Sequence, residues 1–282
     1  MKILYPCIII LFLCTSLSAQ ISMQIKPAKE KYLLYEEVKL SVSIRNYSGK
    51  TLNFGDSLHS YGSMHLAIFD GSKRLRKKLK TFTNPVNGLT IPSGATKQIV
   101  LPVSKIYNMQ KDDDFSITAI IEHEKLSKKY QSNSVTISVR QGIIQWQQSF
   151  GVPEESGEKK IPVRTASFLL LHYKITDIYC LRIEDKKRVY AVRRLGPHVP
   201  GIPIAGEIDA MSNIHALIQM TPRLWSYRIY DSSGTLVQQR YYAYSEELDN
   251  PLPTLVRDPD VGRVAVFGGR RAAESVDYHL NK

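Results

Sequence analysis

The sequence predicts an all-β protein made of two antiparallel β units that follow a short N-terminal leader. The first observation is strict apolar–polar alternation over Val38–Arg45. Because successive strand side chains point to opposite faces, this pattern buries one face of a sheet. The second is a turn signal after most such runs, and the third is the lack of an amphipathic helical period. The 282 residues are 43% apolar and 23% charged, which argues against wholesale disorder.

Residues 1–19 have the three-part pattern of a secretory signal peptide. Lys2 supplies the positive charge, Ile8–Leu13 is an unbroken apolar run, and the small residues Ser18 and Ala19 end the segment. Cleavage is expected after Ala19, with Ser18 a nearly equal alternative. The apolar run is shorter than the ~20 residues that span a bilayer, and no later stretch is long enough. We therefore expect an exported protein, periplasmic, surface-bound or extracellular, with no transmembrane span after cleavage.

Cysteine usage fits an exported chain that does not rely on disulfides. Cys7 and Cys14 lie in the leader, so Cys180 alone remains and no intrachain disulfide is possible. A lipoprotein signal also ends at a cysteine, which gives Cys14 a second interpretation. That signal needs a small residue before the cysteine, and Leu13 stands there. Lipid anchoring at Cys14 is therefore the disfavoured alternative.

Residues 20–141 are predicted to form an antiparallel β-sandwich. Six or seven short strands with turns between them are typical of that architecture. Pro102 indicates an edge strand or a bulge, because proline cannot donate to a ladder. The strand predictions are Val38–Arg45, Thr51–Phe54, His65–Phe69, Lys97–Val103, Phe115–Glu122 and Val135–Val139.

The order of these motifs resembles the bacterial secreted immunoglobulin-like domains over residues 21–141. The motifs are Glu-x-Val-x-Leu-x-Val (Glu36–Val42), Pro-Ser-Gly (Pro92–Gly94), Asp-Phe-x-Ile-x-Ala (Asp114–Ala119) and Ser-Asn-Ser-Val-x-Ile-x-Val (Ser132–Val139). The resemblance implies an immunoglobulin-like sandwich. Family members often carry Gly-Glu before the first long strand, where this chain has Tyr35-Glu36. Residues 46–101 are also distantly similar to small bacterial proteinase-inhibitor domains of sandwich type.

Residues 142–165 are polar and turn-rich, and we interpret them as a linker before a second β unit at 166–282. That unit repeats a strand, an aspartate-containing turn and another strand. Asp, Ser, Asn and Gly favour such turns. Four hairpins are too few for a β-propeller, so a second antiparallel sandwich or a curled sheet is expected. The turns begin near Asp185, Asp209, Asp231 and Asp258.

No motif indicates an enzyme, a bound metal or a cofactor. The Asp112–Asp114 and Asp258–Asp260 turns lack the EF-hand spacing, and the seven histidines include no H-E-x-x-H pair. Cys180 lies in a strand-like run and is interpreted as a small buried hydrophobe. Gly268-Gly269 is not followed by a phosphate-loop signature or a helix signal. We predict no catalytic, metal or cofactor-binding residue.

Net charge is the one global feature with functional weight. The chain carries a formal charge of +12, and residues 73–80 read KRLRKKLK. Positive surfaces attract polyanions, although such a run is also typical of a solvated loop or hairpin. Five tyrosines at 227–244 fit either an aromatic binding face or plain sheet packing. The predicted anion-binding residues are Lys73, Arg74, Arg76, Lys77, Lys78, Lys80, Arg193, Arg194, Arg270 and Arg271.

Three functions follow as hypotheses. The first is an exported, non-enzymatic interaction or structural protein of the bacterial cell envelope, with another protein as partner. The alternative is a binding module for anionic polymers such as acidic glycan, lipopolysaccharide or nucleic acid. A secreted proteinase inhibitor ranks lowest.

The leader gives the first testable prediction. When the full chain is expressed in a bacterial host, the exported protein should begin at Gln20, as measured by intact mass and N-terminal sequencing. Ala19→Arg should block processing there, because the cleavage site needs a small residue. An unprocessed chain in the cytoplasm, or a lipid on Cys14, would contradict it.

Overall fold

The computed structural model describes residues 20–57, 60–79, 84–152, 161–244 and 250–278. Over these ranges the chain is all-β, with one short helical turn, and the predicted fold class is confirmed. No helix within them is long and apolar enough to cross a membrane. The predicted signal peptide lies outside the described residues.

The first unit contains ten strands and one helical turn. They are β1 (Ile21–Pro27), β2 (Lys31–Leu33), β3 (Lys39–Asn46), β4 (Leu52–Asn53), β5 (Gly55–Ser57), β6 (Ser60–Phe69), β7 (Thr90–Ile91), β8 (Thr96–Pro102), α1 (Val103–Ile106), β9 (Asp113–His123) and β10 (Tyr130–Arg140).

Two sheets of this unit share one core and form a sandwich. One sheet has the order β1-β3-β8 and the other β2-β10-β9-β6-β5. Leu40, Val42 and Ile44 of β3 are fully buried and belong to the same cluster as Phe115 and Ile117 of β9. Each such side chain contributes about 1.5–3 kcal/mol through removal from water. β8, which ends at Pro102, is an edge strand, as the proline predicts.

The second unit contains eleven strands in two larger sheets and one hairpin. The strands are β11 (Ile143–Gly151), β12 (Val163–Leu171), β13 (Ile178–Glu184), β14 (Val189–Pro197), β15 (Ala205–Ile208), β16 (Ile214–Thr221), β17 (Leu224–Tyr230), β18 (Leu236–Ala243), β19 (Thr254–Arg257), β20 (Val264–Phe267) and β21 (Arg270–Arg271). The sheet orders are β11-β12-β13-β14, β15-β16-β17-β18-β21 and β19-β20.

The two larger sheets pack together as a second sandwich. Phe168 and Leu181 from one sheet share a cluster with Ile214 and Ile218 from the other. β16 is also buried on its opposite face, where Leu217 packs near Val266 of the β19–β20 hairpin. The structure therefore favours a sandwich over a curled sheet, with the extra hairpin covering its outer side.

The four predicted aspartate turns are confirmed. Asp185, Asp209, Asp231 and Asp258 each lie between two paired strands. In each turn the Oδ1 atom accepts two backbone N–H groups from residues two to four positions later. The Asx side chain thus binds backbone N–H groups that a tight turn would otherwise leave without a partner.

The connection between the units is shorter than the linker predicted at 142–165. Ile143–Gly151 form β11, which pairs with β12, so only Gln141 and Gly142 separate the last strand of one unit from the first strand of the next. Gly142 has φ +77, and a Cβ there would lie 2.7 Å from Leu33 Cδ1. The absence of a side chain at Gly142 therefore lets the two units approach closely.

The units dock through the segment that contains β2. Leu33 is fully buried against Leu169, Leu171 and Cys180 of the second unit. Beside it, the Lys31 ammonium donates to the His172 carbonyl at 2.6 Å. An apolar contact next to hydrogen bonds fixes both position and orientation of the interface.

Glu36 lies at this junction and is 8% exposed. Arg194 of β14 donates from Nε to Glu36 Oε1 at 2.9 Å and from Nη2 to Oε2 at 3.2 Å, while Lys29 binds the same carboxylate. The Leu33 N–H donates to Oε2 at 2.9 Å. Burial alone would raise the pKa of Glu36, but these hydrogen bonds outweigh burial and hold it below its ordinary value.

Removing Arg194 tests this junction. Arg194→Ala should lower the free energy of unfolding by about 2–3 kcal/mol, because it leaves a buried carboxylate with fewer partners. The free energy of unfolding of Arg194→Lys should lie between those of Arg194→Ala and the parent, since an ammonium cannot form the two-pronged bond. Urea denaturation measures both. Arg193→Ala, at the exposed neighbouring position, is the control. Equal losses at the two positions would contradict the assignment.

Candidate functional site

A cleft of about 710 Å³ opens between the two units beside the Glu36–Arg194 contact. One wall comes from Tyr35–Val38 and from the segment between Ser104 and Gln110. The other wall is the β13–β14 hairpin over residues 184–193. Its volume falls within the range of small-molecule sites, so this cleft is the candidate binding site.

The acidic side chains of the cleft already have partners. Glu37 lies 3.0 Å from the Lys105 ammonium and 3.3 Å from that of Lys39. Glu184 is bound by Arg182 at 2.8 Å. A hydrogen bond from the Tyr190 hydroxyl, with two from backbone N–H groups, lowers the pKa of Asp185 to about 2. Glu37 and Glu184 are therefore paired with cations of the protein, whereas Asp185 is held by neutral donors and keeps its negative charge.

Lys186 and Lys187 are the unpartnered cations of the cleft. Both are exposed at the tip of the β13–β14 hairpin. Within the described ranges their ammonium groups form no ion pair or hydrogen bond. The Asp185 side chain binds the N–H of Lys187 at 2.6 Å, which fixes the turn that carries them. The hairpin therefore presents two neighbouring positive charges at the mouth of the cleft.

Tyr35 lies on the opposite wall in an unusual backbone conformation. It is the third residue of the turn closed by the Glu36 N–H and the Leu33 carbonyl, and its φ is +70. Such a position favours glycine or asparagine, and a larger residue costs about 1–2 kcal/mol there. Its side chain is nevertheless 43% exposed.

The basic run is bonded to the chain segment that supplies one cleft wall, and its exposed cations are Lys73, Arg74, Lys77 and Lys78. Leu79 N–H donates to the Ile106 carbonyl at 2.8 Å, and the Arg76 Nε donates to the Asn108 carbonyl at 3.0 Å.

The run therefore lies alongside the segment that forms one cleft wall. Arg76 also faces the buried Asp70 carboxylate at 3.6 Å, which restricts its role to structure. Lys80 lies outside the described residues.

Of the other predicted anion-binding arginines, two are engaged in ion pairs within the protein and two are exposed without an ion pair among the described residues. Arg194 is bound to Glu36, and Arg270 forms a two-pronged bond with Asp277 at 2.7 and 2.6 Å. Arg193 is exposed and lines the cleft, with Nε donating to the Gly234 carbonyl at 3.0 Å. Arg271 is exposed on β21 and does not line the cleft. Arg193 is thus the one predicted arginine that belongs to this site.

Asp209, His215 and Tyr227 form a hydrogen-bonded chain that the sequence did not reveal. His215 Nε2 lies 3.1 Å from Asp209 Oδ2, and Nδ1 lies 2.7 Å from the Tyr227 hydroxyl. His215 and Tyr227 are 3% and 4% exposed. Burial lowers the pKa of His215 and raises that of Tyr227 to about 12. Because the ring and hydroxyl are both out of solvent, we interpret the chain as structural support for the β15–β16 hairpin.

Other residues considered from the sequence also have structural roles. Cys180 is fully buried, as predicted, and burial raises its pKa to about 12. Tyr227 and Tyr230 are buried in the sheet, and Tyr242 packs at its side, so this cluster serves sheet packing. Across the described ranges, no three His, Cys, Asp or Glu side chains are placed to hold a metal ion.

Sequence reasoning missed the cleft lysines and Tyr35. The sequence predicts the turn that begins at Asp185, and two lysines directly after an Asx-turn aspartate are a usable signal of an exposed basic tip at Lys186 and Lys187. Tyr35 was noted only as a departure from Gly-Glu. A bulky residue in a glycine position is a signal of retained function or of tolerated strain.

His215 gives a pH-dependent prediction. Its pKa is lowered on folding, so the unfolded chain binds a proton more readily. This contribution to stability is complete above the unfolded value near 6.5 and is lost as pH falls below it toward the folded pKa. Urea denaturation between pH 8 and pH 5 should therefore show falling stability. In His215→Gln, the slope of the free energy of unfolding against pH should be shallower by up to about 1.4 kcal/mol per pH unit.

His65 and His123 also have pKa values lowered mainly by burial, so the slope should decrease in His215→Gln without vanishing. Tyr227→Phe is the second variant, because it removes the hydroxyl partner but keeps the titrating ring. It should retain the pH slope. An unchanged slope in His215→Gln would contradict the prediction.

No family model matches the chain, and no curated protein matches it. Among solved structures, it is similar to the crystal structure of Spo0M, a sporulation control protein from Bacillus subtilis. That match has 9% sequence identity and a TM-score of 0.28, and it covers 63% of this chain and 91% of Spo0M. A TM-score of this size carries no argument about function.

Proposed function

We propose that this chain is an exported, non-catalytic binding protein of the bacterial cell envelope that binds anionic polymers. In this proposal, the cleft between the two β units and the basic run beside it form the binding surface. The immunoglobulin-like resemblance and the leader pattern support the export part. The observation that carries the binding part is the pair of unpartnered cations, Lys186 and Lys187, at the mouth of a cleft whose carboxylates are already engaged.

The arrangement of charge supports recognition of a polymer over a single small anion. Lys186, Lys187 and Arg193 occupy one cleft wall. Lys77 and Lys78 lie on the loop bonded to the other wall. A polyanion that contacts several separated cations releases counterions at each, so its affinity accumulates along the chain. An extended ligand can use both sets of charges.

A protein partner is the second candidate, supported by the rigid junction. Leu33 and the Glu36–Arg194 contact hold both units as one body, and a body with a fixed outline presents a reproducible docking face. The same basic surface would then bind an acidic protein.

Removing the two cleft lysines tests the proposal. Lys186→Ala with Lys187→Ala should weaken binding to polyphosphate and dextran sulfate roughly tenfold at moderate salt. The slope of log affinity against log salt should fall by about 2, since each lysine accounts for about one unit. Isothermal titration calorimetry at several salt concentrations measures both.

The matched control removes two exposed lysines outside the cleft, Lys26 and Lys97 on β1 and β8. The two double variants have the same net charge, so a difference between them reports position. Equal weakening in the two would overturn the cleft as the site. No measurable binding of either polymer by the parent protein would overturn the proposed function.

A further inference from the structure

We propose that the cleft recognises an acidic glycan, with Tyr35 as the ring on which a sugar stacks and Lys186 and Lys187 as the cations for its acidic groups. This inference rests on the proposed function and specifies its ligand. Tyr35 and both lysines line the same cleft, on opposite walls. An aromatic ring and two neighbouring cations in one cleft suit a ligand whose repeating unit has a C–H face and a negative charge.

The Tyr35 ring is available to a ligand. It is 43% exposed, and among the described residues it contacts no other aromatic ring and no cation. Its hydroxyl makes no hydrogen bond there either. An exposed tyrosine offers a large amphipathic contact area at low entropic cost, so this side chain is suited to binding and adds little to the packing of the core.

The backbone conformation of Tyr35 also supports a role in ligand binding. Asparagine or glycine would occupy φ +70 with less strain, and both would remove the ring. Strained positions cluster at ligand sites, and they persist only where the surrounding structure holds them in place. Here Leu33 and Glu36, at the two ends of the turn, are both buried at the junction. The turn is held firmly enough to keep a ring at the cleft.

A glycan fits the cleft better than single-stranded nucleic acid. Nucleic-acid grooves stack successive bases on several aromatic rings. The other aromatic residue lining the cleft is Tyr190, whose ring already lies 3.7 Å from the Arg164 guanidinium and 4.4 Å from that of Arg188. Its hydroxyl donates to Asp185 at 2.7 Å. One free ring beside two cations matches one stacked sugar with neighbouring acidic groups.

The experiment compares three probes on the full exported chain: a short oligogalacturonate, polyphosphate and oligo-thymidylate of matched charge. Tyr35→Asn removes the ring and keeps a residue that tolerates the turn, while Tyr35→Phe keeps the ring. Oligogalacturonate affinity should fall at least about fivefold in Tyr35→Asn and stay at the parent value in Tyr35→Phe. The affinity for polyphosphate should be equal in the parent, Tyr35→Asn and Tyr35→Phe, because polyphosphate has no sugar ring that could stack on Tyr35.

Folding of the variants is checked by thermal unfolding. The midpoint of Tyr35→Asn should equal or exceed that of the parent, and Tyr35→Gly provides a second ring-free variant. Parent-like oligogalacturonate binding by both ring-free variants would overturn the glycan site and leave the polyanion function standing. Tighter binding of oligo-thymidylate than of oligogalacturonate, with the same loss in Tyr35→Asn, would overturn the glycan class. Absence of binding to all three probes would overturn the function itself.

Discussion

The buried carboxylate of Glu36 is the constraint on which the arrangement of the two units depends. A charge that has left water needs partners with fixed geometry, and here they come from both units. Lys29 and the Leu33 N–H belong to the first, and Arg194 belongs to the second. Because Arg194 also donates to the Lys31 carbonyl, a shift between the units would break bonds to a backbone group and to a buried charge together.

The same junction defines the walls of the cleft. Tyr35 is joined to Glu36, and Arg193 to Arg194, so fixing the ion pair fixes one residue on each wall. The hairpin that carries Lys186 and Lys187 begins on β13, whose Cys180 packs against Leu33. Stability and the spacing of the candidate binding groups are therefore set by the same few contacts. Lys186 and Lys187 stay exposed because the Asp185 carboxylate itself accepts the backbone N–H groups of their turn.

Local patterns predicted most strands, and long-range contacts explain what was missed. Val38–Arg45 and the aspartate turns carry periods or turn chemistry that short windows reveal. The sequence predicts a linker where β11 lies, because β11 is an exposed edge strand that lacks alternation, with Ile143 and Ile144 half in solvent. Glu36 and Arg194 are 158 positions apart. No pattern in one sequence pairs them, and the cleft follows from that pairing.

The four-residue turn Leu33–Glu36 contains both the strained residue Tyr35 and two residues through which the units dock. This explains how Tyr35 is tolerated. An unfavourable φ persists only where its neighbours over-determine the backbone. Leu33 supplies full burial at the start of the turn, and Glu36 supplies a bound carboxylate at its end. Burial of the Leu33 side chain contributes about 1.5–3 kcal/mol, which is enough to offset the about 1–2 kcal/mol that a non-glycine residue costs at this φ. The turn can therefore hold a bulky aromatic residue without loss of the fold, and its two ends place that residue at the cleft instead of in the core.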